Sequence, residues 1–123
     1  MQRDNKDEKW IELKKQVRKR DKECRLVRKL SAKDYLVLQK KAGHLLASLD
    51  CAHILGVGPY PHMVYEIKNI VLLNRYSHKL LDEMKHPVYG TSITSEERRE
   101  WWIKIVGKER YGCLEEMSRN GNH

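Results

Sequence analysis

The segment Asn69-Ile70-Val71-Leu72-Leu73 constrains this chain more than any other. It is rich in β-branched residues and Leu, the composition of a short buried strand. It is followed at once by Asn74-Arg75-Tyr76-Ser77-His78-Lys79, which reads as the start of a helix carrying Tyr76 to Met84. His86-Pro87 stops that helix, because the residue before a proline is pushed out of the helical region. A strand that runs directly into a helix needs a partner strand and further elements to cover it. At 123 residues the chain has room for one compact domain and not for two independent cores.

The rest of the chain supplies candidates. From about Asp7 to Leu30, Trp10, Leu13, Val17, Cys24 and Val27 fall near helical spacing with basic residues between them, predicting one amphipathic basic helix. Ser31 is placed to N-cap a second helix through Ala42, and Gly43 to end it. Leu45 to Leu55 is apolar and at this length fits strand or helix. Gly56-Val57-Gly58-Pro59-Tyr60-Pro61 is a loop by its punctuation. Thr94 and Glu97 have capping-box spacing and open a helix through Val106, which Gly107 ends. A last helical turn or two is expected through Tyr111, Leu114 and Met117, then a frayed tail.

Charge narrows the function classes. Lys and Arg number 25 against 17 Asp and Glu, a net +8. Between Lys14 and Lys29 nine Lys or Arg face only Asp21 and Glu23. Such a run attracts polyanions by neutralising phosphate and releasing counterions; a solvated helix face is the alternative. No stretch reaches the roughly 18 apolar residues of a membrane helix. The charged start MQRDNKDEKW is unlike a secretory signal, so a cytoplasmic protein is expected, in a host cytoplasm if phage-encoded. Cys24, Cys51 and Cys113 are odd in number and widely spaced, which predicts neither a disulfide framework nor a thiolate zinc site.

Three polar residues in mid-chain carry the chemistry. His53 ends an apolar segment in Asp50-Cys51-Ala52-His53-Ile54, Asn69 begins the apolar run after a fifteen-residue loop, and His78 follows nine positions later. In this pattern the chain resembles the HNH (ββα-metal) endonuclease family, and most closely its small phage-type members. These have a small residue before the first His and a Gly-rich loop after it. The motif covers residues 50 to 82, with looser similarity to about Tyr111.

The resemblance implies an α+β fold, mainly helical, in which a β-hairpin plus helix holds one divalent ion and is wrapped by flanking helices. Residues 1–123 would form one domain: a basic helical part at about 7–43, the motif core at about 45–86, and C-terminal helices at about 94–118. It implies an enzyme that hydrolyses DNA phosphodiester bonds, on double-stranded or branched DNA, with possible homodimerisation.

Each candidate residue also has a chemical role of its own. Neutral imidazole suits a general base near neutral pH, and His53 is that candidate, at the end of the first strand and facing the helix that carries His78. His78 is the candidate metal ligand. Asp82, four residues on, shares its helical face and can grip the same ion. The resemblance makes Asn69 the family's middle Asn, which implies that it ties the loop across the motif, and its amide both donates and accepts as such a tie requires. Arg75 and Lys79 on the same helix, with Arg18 and Arg25 in the basic run, are candidate phosphate contacts. His62 in the Pro-rich loop is loop surface or a contact to phosphate or the ion. Magnesium or manganese suits mixed His and carboxylate ligation; nickel and zinc also fit.

Two departures from the family stand out. Many relatives carry Asp or His directly before the first His as a further ligand, where this chain has Ala52. Asp50 is the nearest carboxylate, but residues 50 and 53 of a regular strand point to opposite faces. Asp50 then reaches the ion only if the strand bulges or ends between them. Relatives also hold a structural zinc on two Cys-x-x-Cys pairs, where Asn74 and Ser77 stand here and Cys24 alone remains upstream. No structural zinc is expected, and packing must hold the fold. Ala52 is also the best support for the competing class, a catalytically inactive nucleic-acid-binding or accessory protein on the same scaffold.

Overall fold

The structure, a computed structural model, describes residues 5–120. Expectations for the first four residues and for the tail past Asn120 lie outside them. The elements in order are helix α1 (Asn5–Asp21), helix α2 (Ala32–Ala42), strand β1 (Leu49–His53), strand β2 (Ile70–Asn74), and helices α3 (Arg75–Asp82), α4 (Ser95–Val106) and α5 (Lys108–Asn120). Short 3-10 turns at Val27–Lys29, Gly43–Ala47, Pro61–Met63 and Ile67–Asn69 connect them. The fold is α+β and mainly helical. Among the described residues no helix is long and apolar enough to cross a membrane.

The two strands form an antiparallel hairpin in unbroken register, from Leu49 opposite Asn74 to His53 opposite Ile70. All five residues of β2 are buried, because the hairpin is covered on both faces. Ile70 and Leu72 pack with Leu13 and Val17 of α1, and with Leu49 and Cys51 of β1. On the other face Ala52, Val71 and Leu73 join Leu81 of α3, Trp102 and Ile105 of α4, and Leu114 of α5. The apolar residues of β2 therefore run continuously instead of alternating.

Local signals set most helix ends. The Ser31 hydroxyl accepts from the Asp34 N–H at 3.1 Å, and Gly43 ends α2 at a φ of 55°. Thr94 and Glu97 form both halves of a capping box, at 3.1 and 2.8 Å. Asn74 caps α3 by accepting from the Ser77 N–H at 2.8 Å. That helix stops at Asp82, short of the Met84 expected from the sequence. Met84 is left-handed (φ 61°), and the Leu81 carbonyl accepts from the Met84 N–H at 3.1 Å and from Arg98 at 3.2 Å. The last helix, 13 residues long, exceeds the one or two turns expected.

The larger correction concerns the basic segment. One helix was expected to Leu30, yet α1 ends at Asp21, and Lys22 is left-handed with φ 68°. The cause is the outer edge of β2, which has no third strand among the described residues. The buried Asp21 carboxylate accepts from the Leu72 N–H at 3.0 Å. The Arg25 N–H donates to the Leu72 carbonyl at 3.0 Å. The Cys24 thiol sulfur accepts from the Asn74 backbone at 3.3 Å and its amide at 3.4 Å. Arg20 and Arg110 both donate to the Ile70 carbonyl. Cys24 thus leaves the Trp10 face and enters the opposite core. Asn74 Nδ2 also reaches the Ser77 hydroxyl at 3.1 Å, which donates to the Pro87 carbonyl at 2.8 Å. Cys24, Asn74 and Ser77 so form one buried hydrogen-bonded knot.

Asp21 shows how strongly that edge is held. Burial raises its carboxyl pKa, but the paired Arg20 at 2.7 and 2.9 Å, the Leu72 N–H and the charge of Arg110 outweigh this and hold it below the ordinary range. Arg110 is itself pushed down to about 10 by burial and by the Arg20 charge. A carboxyl depressed in the folded state contributes stability that is whole above its unfolded pKa and lost as pH falls through the folded one. Asp21→Asn is therefore expected to cost about 2 kcal/mol at pH 7. Urea denaturation should show this gap closing below about pH 4; equal midpoints at pH 7 would contradict it.

Candidate active site on the hairpin and its helix

Asn69 closes the loop between the strands. It is fully buried at the end of the last 3-10 turn before β2. Its side-chain oxygen accepts from the Leu55 N–H at 2.8 Å, while its Nδ2 donates to the carbonyls of Leu55 at 3.1 Å and Met63 at 3.3 Å. The near and far parts of the loop are thereby fixed to one side chain. The arrangement needs a donor and an acceptor on the same group, which an amide has and a carboxylate lacks.

That loop delivers a carbonyl to His53. The Val64 oxygen lies 2.9 Å from His53 Nε2. A carbonyl only accepts, so Nε2 carries the hydrogen, and in the neutral ring Nδ1 keeps its lone pair. No described residue hydrogen-bonds Nδ1. The imidazole lies parallel to the Trp10 indole, with centroids 5.3 Å apart and planes 13° apart. His53 is at the end of the first strand, as expected, but it does not face α3. It shares the face of its partner Ile70, which packs on α1. Asp50 and Ala52 share the other face.

Asp50 meets His78 on that other face, with no bulge in the strand. Its Oδ2 lies 3.0 Å from His78 Nδ1, and its Oδ1 accepts from Arg75 Nε and Nη2, each at 3.1 Å. Burial raises the Asp50 carboxyl pKa, but the hydrogen bonds from His78 and Arg75 hold it below the usual range. Since the carboxylate only accepts, His78 Nδ1 carries its hydrogen and the neutral ring presents Nε2 as a lone pair. That atom faces the Asp82 carboxylate at 3.3 Å. Two acceptors at this distance need a positive charge between them, either a proton or a metal ion.

The donor set fits a divalent ion. A nitrogen and a carboxylate oxygen about 3 Å apart match neighbouring ligands of a small octahedral cation. Asp82 is 63% exposed, which leaves room for water or phosphate oxygens. Asp50 sits behind the ring on the opposite nitrogen, the position of a carboxylate that orients a metal-binding His. Read from the sequence as a ligand only if the strand bulged or ended, Asp50 here bonds the ring nitrogen that faces away from Asp82. Among the described residues no three His, Cys, Asp or Glu side chains converge on one point.

The expected phosphate contacts divide. Lys79 and Arg18 are exposed; burial raises the pKa of the Cys51 thiol, on the α1 face with His53, against the opposing charges of Arg18 and Lys14. Arg75 is tied to Asp50, and Arg25 is half-buried with its guanidinium 3.5 Å from the Asp21 carbonyl. His62 reaches the Met117 carbonyl at 3.2 Å and the edge of the Tyr60 ring, away from the motif residues. Sequence reasoning missed Trp10 and Val64 as partners of His53. Trp10 was legible only as an apolar helix position, and a backbone carbonyl leaves no mark in a sequence.

No model of a known protein family matches the chain, and no curated protein or solved structure matches it.

Asn69→Ala leaves the half-buried Leu55 N–H without its acceptor and the Met63 carbonyl without its buried donor, and is expected to cost about 2 kcal/mol. Asn69→Asp restores the acceptor but not the donor, and brings a buried charge. Thermal melts should rank wild type above both variants; an Asp variant as stable as wild type would refute the two-way tie.

Proposed function

We propose that this chain is a metal-dependent endonuclease of the HNH type that hydrolyses DNA phosphodiester bonds by nicking or cleavage. The observation that carries the reading is the line Asp50–His78–Asp82: a carboxylate fixes one ring nitrogen, and the other is aimed with a second carboxylate at open solvent. The line is half-buried at Asp50 and His78 and open to solvent at Asp82, on a helix that packs through Leu81 against the hairpin core.

His78 Nε2 and Asp82 would hold the ion, magnesium or manganese by the mixed ligand chemistry, with nickel or zinc as alternatives. When bound, it supplies charge stabilisation at the phosphate and the leaving oxygen. His53 takes a proton from water at Nδ1, the nitrogen left free by the Val64 hydrogen bond. The water oxygen bonds to phosphorus as the bond to the leaving sugar oxygen breaks, and that oxygen is protonated by solvent. Asn69 keeps the Val64 carbonyl, and through it the His53 tautomer, in place. Lys79, Arg18 and other exposed cations of α1 hold phosphates of double-stranded or branched DNA. One motif set makes one cut, so double-strand breaks require two visits or a homodimer.

A second reading is a nucleic-acid-binding or accessory protein on the same scaffold without turnover. Two observations favour it: Ala52 is fully buried where a further ligand would stand, and His53 faces α1 while His78 packs on the opposite face.

Nicking of supercoiled plasmid in magnesium, manganese, nickel or chelator decides between them. The enzyme reading expects metal-dependent nicking, reduced about 10²–10⁴-fold in His53→Ala. No nicking in any metal, or equal nicking by the variant, favours the binding protein. Asp50→Asn is expected to weaken manganese binding about 10–100-fold in calorimetry, since it removes the group that orients His78. Unchanged affinity would contradict that role.

A further inference from the structure

The face of the hairpin opposite His78 holds His53 and Arg18 in an arrangement in which Trp10 has as yet no role. Trp10, Lys14 and Arg18 follow one another at four-residue steps on α1, so they form one stripe. Trp10 lies flat on His53, the Lys14 ammonium is 5.9 Å from the Trp10 ring centroid, and Arg18 is exposed one turn further along the same helix. The indole is half-buried, packed against the α1-side core while part of it stays open to solvent beside His53.

We infer that Trp10 is a positioning residue for His53, and that Lys14 and Arg18 beside it form the track along which a nucleic-acid phosphate reaches the free Nδ1. This rests on the endonuclease reading. The imidazole has two restraints, the Val64 carbonyl in its plane and the Trp10 face across it. The first fixes the tautomer and the second the tilt of the ring. The indole also adds an interaction that strengthens during the reaction. When Nδ1 takes the proton of water the imidazole becomes a cation, and a cation over an indole face is attracted by the ring quadrupole. An interaction stronger in the transition state than in the ground state raises kcat. Lys14 and Arg18 meet the backbone equally before and during reaction, so they act on KM.

The test is steady-state nicking by the full chain in manganese, with Trp10→Leu, Trp10→Phe and Lys14→Gln beside wild type, and melting curves to show that each variant folds. Trp10→Leu should lower kcat about ten-fold with KM unchanged, and Trp10→Phe should recover most of the loss because it restores a ring face. Lys14→Gln should raise KM, leave kcat unchanged and reduce the salt slope of DNA binding by about one. In proton NMR the His53 ring signals should lie upfield in wild type and move downfield in Trp10→Leu. An undiminished kcat in a folded Trp10→Leu, or equal losses in the Leu and Phe variants, overturns the inference while wild-type turnover keeps the endonuclease reading. No wild-type turnover in any metal overturns both, and the NMR displacement then reports the stack alone.

Discussion

The outer edge of β2 is the constraint on which the rest of this structure depends. An isolated two-stranded hairpin is marginal in water, and a strand buried at every position cannot leave backbone groups unpaired. β2 solves this without a third strand. Asp21, Cys24 and the Arg25 amide take the groups that a neighbouring strand would take, and Arg20 and Arg110 share the Ile70 carbonyl. These contacts dictate where α1 must stop, how the chain turns after it, and where α5 docks. They also bring two guanidinium groups together beside one carboxylate, a local excess of positive charge held by backbone oxygens.

The register that this edge protects distributes the chemistry. Successive side chains of β1 alternate between two helical layers, so Asp50 goes to α3 and His53 to α1. Each histidine then meets a different restraint. His78 is oriented by a carboxylate and looks out past Asp82, while His53 is oriented by a backbone carbonyl and an indole. In both, the partner accepts a hydrogen bond on one ring nitrogen and so leaves the other as a lone pair. The common result is two imidazoles prepared for ligation or proton uptake, at the cost of ordering a fifteen-residue loop around Asn69.

Much of this was legible in the sequence where the determinant is local. Ser31, Gly43, Thr94 with Glu97, and Gly107 mark helix ends through hydrogen bonds within four residues, and each acts as read. The apolar run of β2 and the donor-and-acceptor demand on Asn69 were also readable, as was the shared face of His78 and Asp82. What stayed hidden is non-local. Nothing near Asp21 announces that its carboxylate serves a strand 51 residues away, so the helical spacing of Cys24 and Val27 misled. The parity of residues 50 and 53 was correct, but which helix covers which face is decided by tertiary packing, and Asp50 needed no bulge to meet His78. In α5, Gly112 and the dense charge around it conceal a long helix whose apolar residues Tyr111 and Leu114 face the core.

His78 Nε2 and the Asp82 carboxylate, 3.3 Å apart, are the two ligands of the proposed cation site. The most direct measurement is the anomalous difference map of crystals grown in manganese. One peak at bonding distance from both His78 Nε2 and Asp82, with Asp50 still hydrogen-bonded to Nδ1, is the predicted result. No peak there, or manganese bound elsewhere while His78 and Asp82 remain paired through a proton, would contradict the account.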